Sequence, residues 1–228
     1  MPHDAHTPGA DLPRRLAAEA IGTWFLLVAV VGSGIMAETL SGGNTGIALL
    51  ANTLATGAIL TVLITVLGPI SGAHLNPAVS LVETLAGRLR PADAASFVAV
   101  QMIAAVAGVF AAHVMFGQPI SQLSGHVRSG WPLAFSELVA TFGLVLVILG
   151  AVRHRPAAVA PVVGLYITGA YWFTASTSFA NPAVTVARTL TDTFAGIRAA
   201  DAPLFIAVQL VGALLAAGVA QWLYSPRR

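Results

Sequence analysis

The chain has 228 residues, 57% of them hydrophobic and only 9% charged, with a formal net charge of +2. Globular domains carry about 25% charged residues, so this composition excludes an ordinary water-soluble domain and points to a bilayer. Cysteine is absent, which excludes disulfides, thiolate metal sites and a cysteine nucleophile; all 11 basic residues are Arg, never more than two in a row, so the charge reads as membrane topology and not as a nucleic-acid surface.

Residues 1–13, "MPHDAHTPGADLP", are polar, rich in Pro, and lack the basic start and apolar core of a signal peptide. They read as a disordered tail. Six apolar segments follow, at roughly 16–37, 47–67, 94–116, 133–152, 157–175 and 203–224. Each has about the 20 residues that a helix needs to cross the hydrocarbon core. Glycine is frequent in them, which suits close helix packing in lipid.

Between the second and third spans lies "SGAHLNPAVSLVETLAG"; between the fifth and sixth lies "STSFANPAVTVARTLTDTF". Asn is a good helix cap and Pro suits the first helical position. So Asn76, Pro77 and Ala78 open one short helix, and Asn181, Pro182 and Ala183 open another of similar length. Each is about half a bilayer long. If the two enter from opposite faces, their N-termini meet near the midplane and concentrate positive potential there. The irregular backbone before each cap is tolerated at membrane depth only where it is buried or lines a wet cavity. Its carbonyls, from Gly72, Ala73 and His74 and from Thr177, Ser178 and Phe179, then accept hydrogen bonds from a solute in single file. The Asn amides supply donors at the centre.

The two halves resemble each other. "AAEAIGTWFLLVAVVGSG" opens span one and "FSELVATFGLVLVILGA" opens span four; "VAVQMIAAVAGVFAA" in span three matches "IAVQLVGALLAAGVA" in span six. Each half holds three spans, so the second is inverted relative to the first. The expected fold is an all-α membrane protein of six transmembrane helices and two re-entrant half-helices. It forms one channel domain over residues 14–228, with repeats at about 14–117 and 132–226. Arg14, Arg15, Arg88, Arg90, Arg153, Arg155, Arg227 and Arg228 fall on one side of the membrane, and Arg128, Arg188 and Arg198 on the other. The positive-inside rule makes the first side cytoplasmic, with both termini there.

These motifs resemble the major intrinsic protein family, the aquaporins and aquaglyceroporins. "SGAHLNPAVS" is close to that family's first-loop pattern, and the likeness covers about residues 14–224, including the Glu of spans one and four and the Gln of spans three and six. The resemblance implies a passive channel in every subunit of a homotetramer, embedded in the lipid bilayer of a bacterial inner membrane. The solutes it implies are small and neutral: water, glycerol-like polyols and metalloid hydroxides. It also implies a constriction, which falls here on Thr56, Gly169, Ser178 and Val184. The family usually has an Arg where Val184 stands and aromatics at other constriction positions, so a wider, less polar constriction is expected. A similar Val occurs in bacterial members associated with arsenic resistance, which suggests arsenous acid and methylated arsenicals as solutes. Arg188 stands one helical turn after Val184 and is expected either to line the outer vestibule or to pair with Asp192. Glu83 marks the inner mouth or pairs with Arg88 or Arg90.

Glu19 and Glu137 occupy matching places in spans one and four. Either they couple protons in an alternating-access carrier, or each accepts hydrogen bonds from the backbone of a re-entrant loop, with Gln101 and Gln209 packed beside them. The symmetry of the repeat favours the second. The chain carries no cofactor pattern and no metal-ligand spacing around His74, and no span pairs a Ser with the base and orienter of a hydrolase, so an enzyme is not expected.

Overall fold

The computed structural model describes residues 10–224; residues 1–9 of the expected tail, and Arg227 and Arg228, lie outside the described residues. The helices are α1 (Leu12–Leu40), α2 (Thr45–Ser71), α3 (Pro77–Leu85), α4 (Pro91–Met115), α5 (Trp131–His154), α6 (Val159–Phe173), α7 (Pro182–Ala187) and α8 (Ala202–Leu223). Single 3-10 turns precede α6 and follow α7. Six of the helices, counting the turn that leads into α6, are long and apolar enough to cross a membrane. Their outer faces expose Leu54, Val66, Ile103 and Leu165, as contact with lipid requires. Trp131 and Trp222 stand exposed at helix ends, where amphipathic rings favour the membrane–water interface.

Several boundaries differ from the sequence expectation. α1 begins at Leu12, because Asp11 caps it by accepting from the Arg14 N–H at 3.2 Å. α2 continues through Pro69 and stops only at Gly72, whose φ of 91° is left-handed. α7 is shorter than its partner α3, six residues against nine. The carbonyls that would extend α7 are taken elsewhere: Arg188 O accepts from Ile197 N at 3.1 Å, and Thr189 O from Ser124 N at 3.0 Å. The half-helix is thus tied to the loops on either side of it.

α1 packs on α2 and α4, α5 packs on α6 and α8, and α2 crosses α6 between the two halves. Glycine decides how closely α2 and α6 approach. A Cβ on Gly164 would lie 2.6 Å from Gly57 O, and one on Gly57 would lie 2.9 Å from Gly164 O. The same device recurs where Gly108 meets Trp24 O on α1 and where Gly212 meets Leu138 O on α5, each with a would-be Cβ at 2.5 Å. Without a hydrophobic drive between helices in lipid, such contacts let backbones meet at van der Waals distance. The short helices α3 and α7 fill the space left between the crossing pairs.

Gly164→Ala should destabilise the protein by about 1–3 kcal/mol, seen as a lower melting temperature in detergent. Gly68→Ala is the control: nothing lies within 4 Å of its would-be Cβ, so stability should hold or rise slightly.

Candidate functional site

The site begins with two helix caps. Asn76 and Asn181 share an extended backbone, with φ of −159° and −158°. The Asn76 side-chain oxygen accepts from Ala78 N at 2.9 Å, and that of Asn181 from Ala183 N at 3.0 Å. The amides then cross between the halves. Asn76 Nδ2 donates to Ala180 O and Asn181 Nδ2 donates to Leu75 O, both at 2.8 Å. Sequence reasoning left both amide hydrogens free for solute; one on each Asn is in fact used to tie the half-helices tip to tip. An amide carries two donors, so one per Asn remains for the lumen.

The loops leading to the caps are bent in the same way. Gly72, Ala73 and Leu75 have φ of 91°, 47° and 49°; Thr177, Ser178 and Ala180 have 65°, 50° and 47°. These are matching positions relative to Asn76 and Asn181. Left-handed conformations at non-Gly residues cost about 1–3 kcal/mol each and persist only when the surroundings enforce them. Two fully buried carboxylates do so. Glu19 accepts from Ser71 Oγ at 2.6 Å, His74 N at 2.9 Å, Leu75 N at 2.7 Å and Gln101 Nε2 at 2.8 Å. Glu137 accepts from Phe179 N at 2.9 Å, Ala180 N at 2.8 Å and Gln209 Nε2 at 2.6 Å. Each Gln also reaches the first turn of the adjacent half-helix, Gln101 at Ser80 Oγ and Gln209 at Thr185 Oγ1. The carboxylates are occupied holding backbone, which gives the carrier reading no support.

A cavity of ≈ 220 Å³ runs along these loops. Its opposite wall is apolar and built from ridges spaced four residues apart: Leu26 and Val30 on α1, Leu60 and Ile64 on α2, Leu144 and Ile148 on α5, and Val159, Val163 and Ile167 on α6. Side chains four apart share one helix face. The polar wall comes from the loops, with Gly72, Ala73, His74, Ser178 and Phe179 all lining it. Thr177, expected among the pore carbonyls, is not part of this wall. His74 is fixed by its own N–H to Glu19 and by Nδ1 against Ser80 Oγ at 3.1 Å. One end of the cavity holds Glu83, which Arg88 grips through two contacts of 2.6 Å. That ion pair holds the Arg88 guanidinium above its usual pKa.

The α7 end holds Thr56, Ser178 and Val184, three of the four expected constriction residues. Gly169 is not among them. It lies exposed on another face of α6, and a Cβ there would meet only Phe173 at 3.9 Å. Tyr171 of α6 does line this end; it is 3% exposed and donates its hydroxyl to Thr56 Oγ1 at 3.3 Å. An aromatic side chain thus lines this end of the cavity. Tyr171 continues the four-residue ridge of Val159, Val163 and Ile167 along α6.

Arg188 also lines this end and is 2% exposed. Its Nε donates to Ala195 O, and its guanidinium carbon sits 3.4 Å from the centroid of the Phe179 ring. It does not pair with Asp192, whose carboxylate accepts from Gly125 N instead. Arg128 approaches the same ring at 5.2 Å and donates to Gly196 O at 2.8 Å. Burial pushes the Arg128 pKa down, partly offset by Glu137. Neither Arg has a carboxylate partner within ion-pair distance among the described residues. The arrangement is an apolar tube with a line of fixed dipoles along one wall and a buried cation at one end.

The family model described as Major intrinsic protein matches residues 8–171. The chain is 56% identical over 218 residues to "Aquaglyceroporin AqpS" of Rhizobium meliloti (strain 1021), covering 96% of this chain and 93% of that protein. It is 30% identical over 219 residues to "Aquaporin Z" of Brucella melitensis biotype 1, covering 89% of this chain and 94% of the other. The fold is shared with the X-ray structure of the aquaglyceroporin from Plasmodium falciparum, at a TM-score of 0.70 and 22% identity, over 94% of this chain and 96% of that one.

Glu137→Ala should leave Phe179 N and Ala180 N unpaired in the membrane interior. The expected cost is about 3–6 kcal/mol, measured as loss of thermal stability in detergent.

Proposed function

Because the chain belongs to the major intrinsic protein family, it is an integral membrane channel and not an enzyme, and we propose that it conducts water, glycerol-like polyols and metalloid hydroxides such as arsenous acid. The observation that carries this reading is the cavity itself. One wall supplies hydrogen-bonding groups in a line and the other, apart from the hydroxyls of Thr56 and Tyr171, supplies hydrocarbon. A small solute that is neutral and carries hydroxyl groups can exchange water for the first wall without forfeiting solvation along the second. A cation cannot, since it would face the positive ends of α3 and α7. The relative named an aquaglyceroporin supports the inclusion of polyols.

In this reading Asn76, Pro77, Ala78, Asn181, Pro182 and Ala183 form the pore centre. Thr56, Ser178 and Val184 belong to the outer constriction. Val184 offers methyl groups where a charged side chain would take up both volume and hydrogen bonds, which favours solutes larger than water, methylated arsenicals included. Arg188 gives the outer vestibule its positive character, supported by its burial beside the lumen without a carboxylate. Residues 14–228 form one channel domain with both termini cytoplasmic, in a bacterial inner membrane, and the Arg distribution supports that orientation. The channel assembles as a homotetramer, so that each subunit keeps its own pore.

Stopped-flow light scattering on proteoliposomes tests the reading. Val184→Arg should lower glycerol and arsenous acid permeability about tenfold while sparing water to within about threefold. Equal permeabilities in wild type and variant for all of these solutes would show the account of Val184 to be wrong. Arg188→Ala with unchanged solute selectivity would remove the vestibule role.

A further inference from the structure

A second cavity, of ≈ 790 Å³, adjoins the Glu83 end of the lumen. Val152 borders both spaces, and Arg88, which grips Glu83 on the lumen side, borders the second. Three helices build its walls: Val82 comes from α3, Leu149 from α5, and Ala217 and Gly218 from α8. The small residues on α8 leave the groove open. Gly218 is exposed, and nothing lies within 4 Å of its would-be Cβ. The floor is hydrocarbon and the rim is cationic. Arg153 stands exposed on that rim, with no carboxylate within ion-pair distance among the described residues. Arg88 spends Nε and one Nη2 hydrogen on Glu83; a guanidinium has five N–H donors, so it has others to spare. No described acidic residue borders the groove.

The depth of the groove is that of lipid headgroups. Trp222 follows directly on the groove residue Gln221 and is 78% exposed, and such rings favour the membrane–water interface. A soluble anion would use the rim and leave the apolar floor wet. A fatty chain ending in a phosphate uses both, and the planar fork of Arg matches phosphate oxygens in pairs. We propose that this groove between α3, α5 and α8 binds an anionic phospholipid. Arg153 and the spare donors of Arg88 take the phosphate, and one acyl chain lies in the gap at Gly218 against Val82, Leu149 and Ala217.

The test is native mass spectrometry of the full chain in detergent, titrated with phosphatidylglycerol or with phosphatidylcholine of the same acyl chains. Phosphatidylglycerol should bind about fivefold more tightly, and Arg153→Ala should remove about that factor. Gly218→Leu fills the groove and should weaken phosphatidylglycerol binding at least as much, with the melting temperature kept. Arg14→Ala removes a charge remote from the groove and should leave binding within about twofold. Glycerol phosphate, which has the head without the chains, should not displace the lipid. Equal affinities for the two lipids, or unchanged binding in both Arg153→Ala and Gly218→Leu, would overturn the assignment. So would an Arg14→Ala loss as large as that of Arg153→Ala, or displacement by glycerol phosphate, which would mark a site for soluble phosphates. Lipid held by single chains but not by their oligomers would show that a second copy covers the groove, and would overturn it too.

Discussion

Bent backbone at membrane depth has to be satisfied by the protein itself, because the bilayer interior offers no water to hydrogen-bond it. Two carboxylates, Glu19 and Glu137, meet that requirement, and the pore depends on them. Each reaches from a spanning helix into the loop before a half-helix and collects the N–H groups that the left-handed residues turn away from the lumen. With these N–H groups tied to the carboxylates, Gly72, Ala73, His74, Ser178 and Phe179 of the same loops line the cavity. A charged acceptor suits the task because its hydrogen bonds are about twice as strong as neutral ones. The conformational strain at Ala73, Leu75, Ser178 and Ala180 is the counterpart of that stabilisation.

The same logic explains why two half-helices stay tip to tip. Their N-termini repel each other through like partial charges, and Pro77 and Pro182 remove one donor at each start. The capping oxygens of Asn76 and Asn181 neutralise part of the remaining positive potential, while their amides make the two crossed bonds to Ala180 O and Leu75 O. Repulsion is thus held in check by hydrogen bonds across the pseudo-twofold axis. What remains of the positive potential, together with the free amide hydrogens, points at the lumen. Cap and tie thus use different atoms of the same side chain.

At the α7 end, composition of the lumen depends on which helix face is turned inward. Thr56, Tyr171 and Ser178 bring hydroxyls, Val184 brings methyl groups, and Arg188 brings a guanidinium anchored by Ala195 O and the Phe179 ring. The tight α2–α6 crossing at Gly57 and Gly164 fixes the separation of the walls that carry Thr56 and Tyr171. Packing remote from the solute thereby sets the bore. Val184 and Tyr171 stand together with the expected Thr56 and Ser178, so this end of the cavity carries both methyl groups and hydroxyls.

Much of this was readable along the chain. The six spans, the caps at Asn76 and Asn181, the inverted halves and the paired Glu and Gln positions follow from local rules: apolar run length, N-cap chemistry and internal repetition. Each needs only neighbouring residues or a match between halves. That Tyr171 and not Gly169 lines the α7 end of the cavity was not legible along the chain. Helical side chains turn by about 100° per residue, so Gly169 and Tyr171, two residues apart, occupy different faces of α6. The shortness of α7 was hidden because bonds from Ile197 and Ser124, distant in sequence, capture its carbonyls. The destination of the Asn amides and the stacking of Arg188 on Phe179 were hidden for the same reason. The chain's composition and local chemistry decided that there is a broken helix in a bilayer; contacts between its two halves decided which atoms face the solute, because only the folded packing sets the rotation of each helix and the partners of each donor.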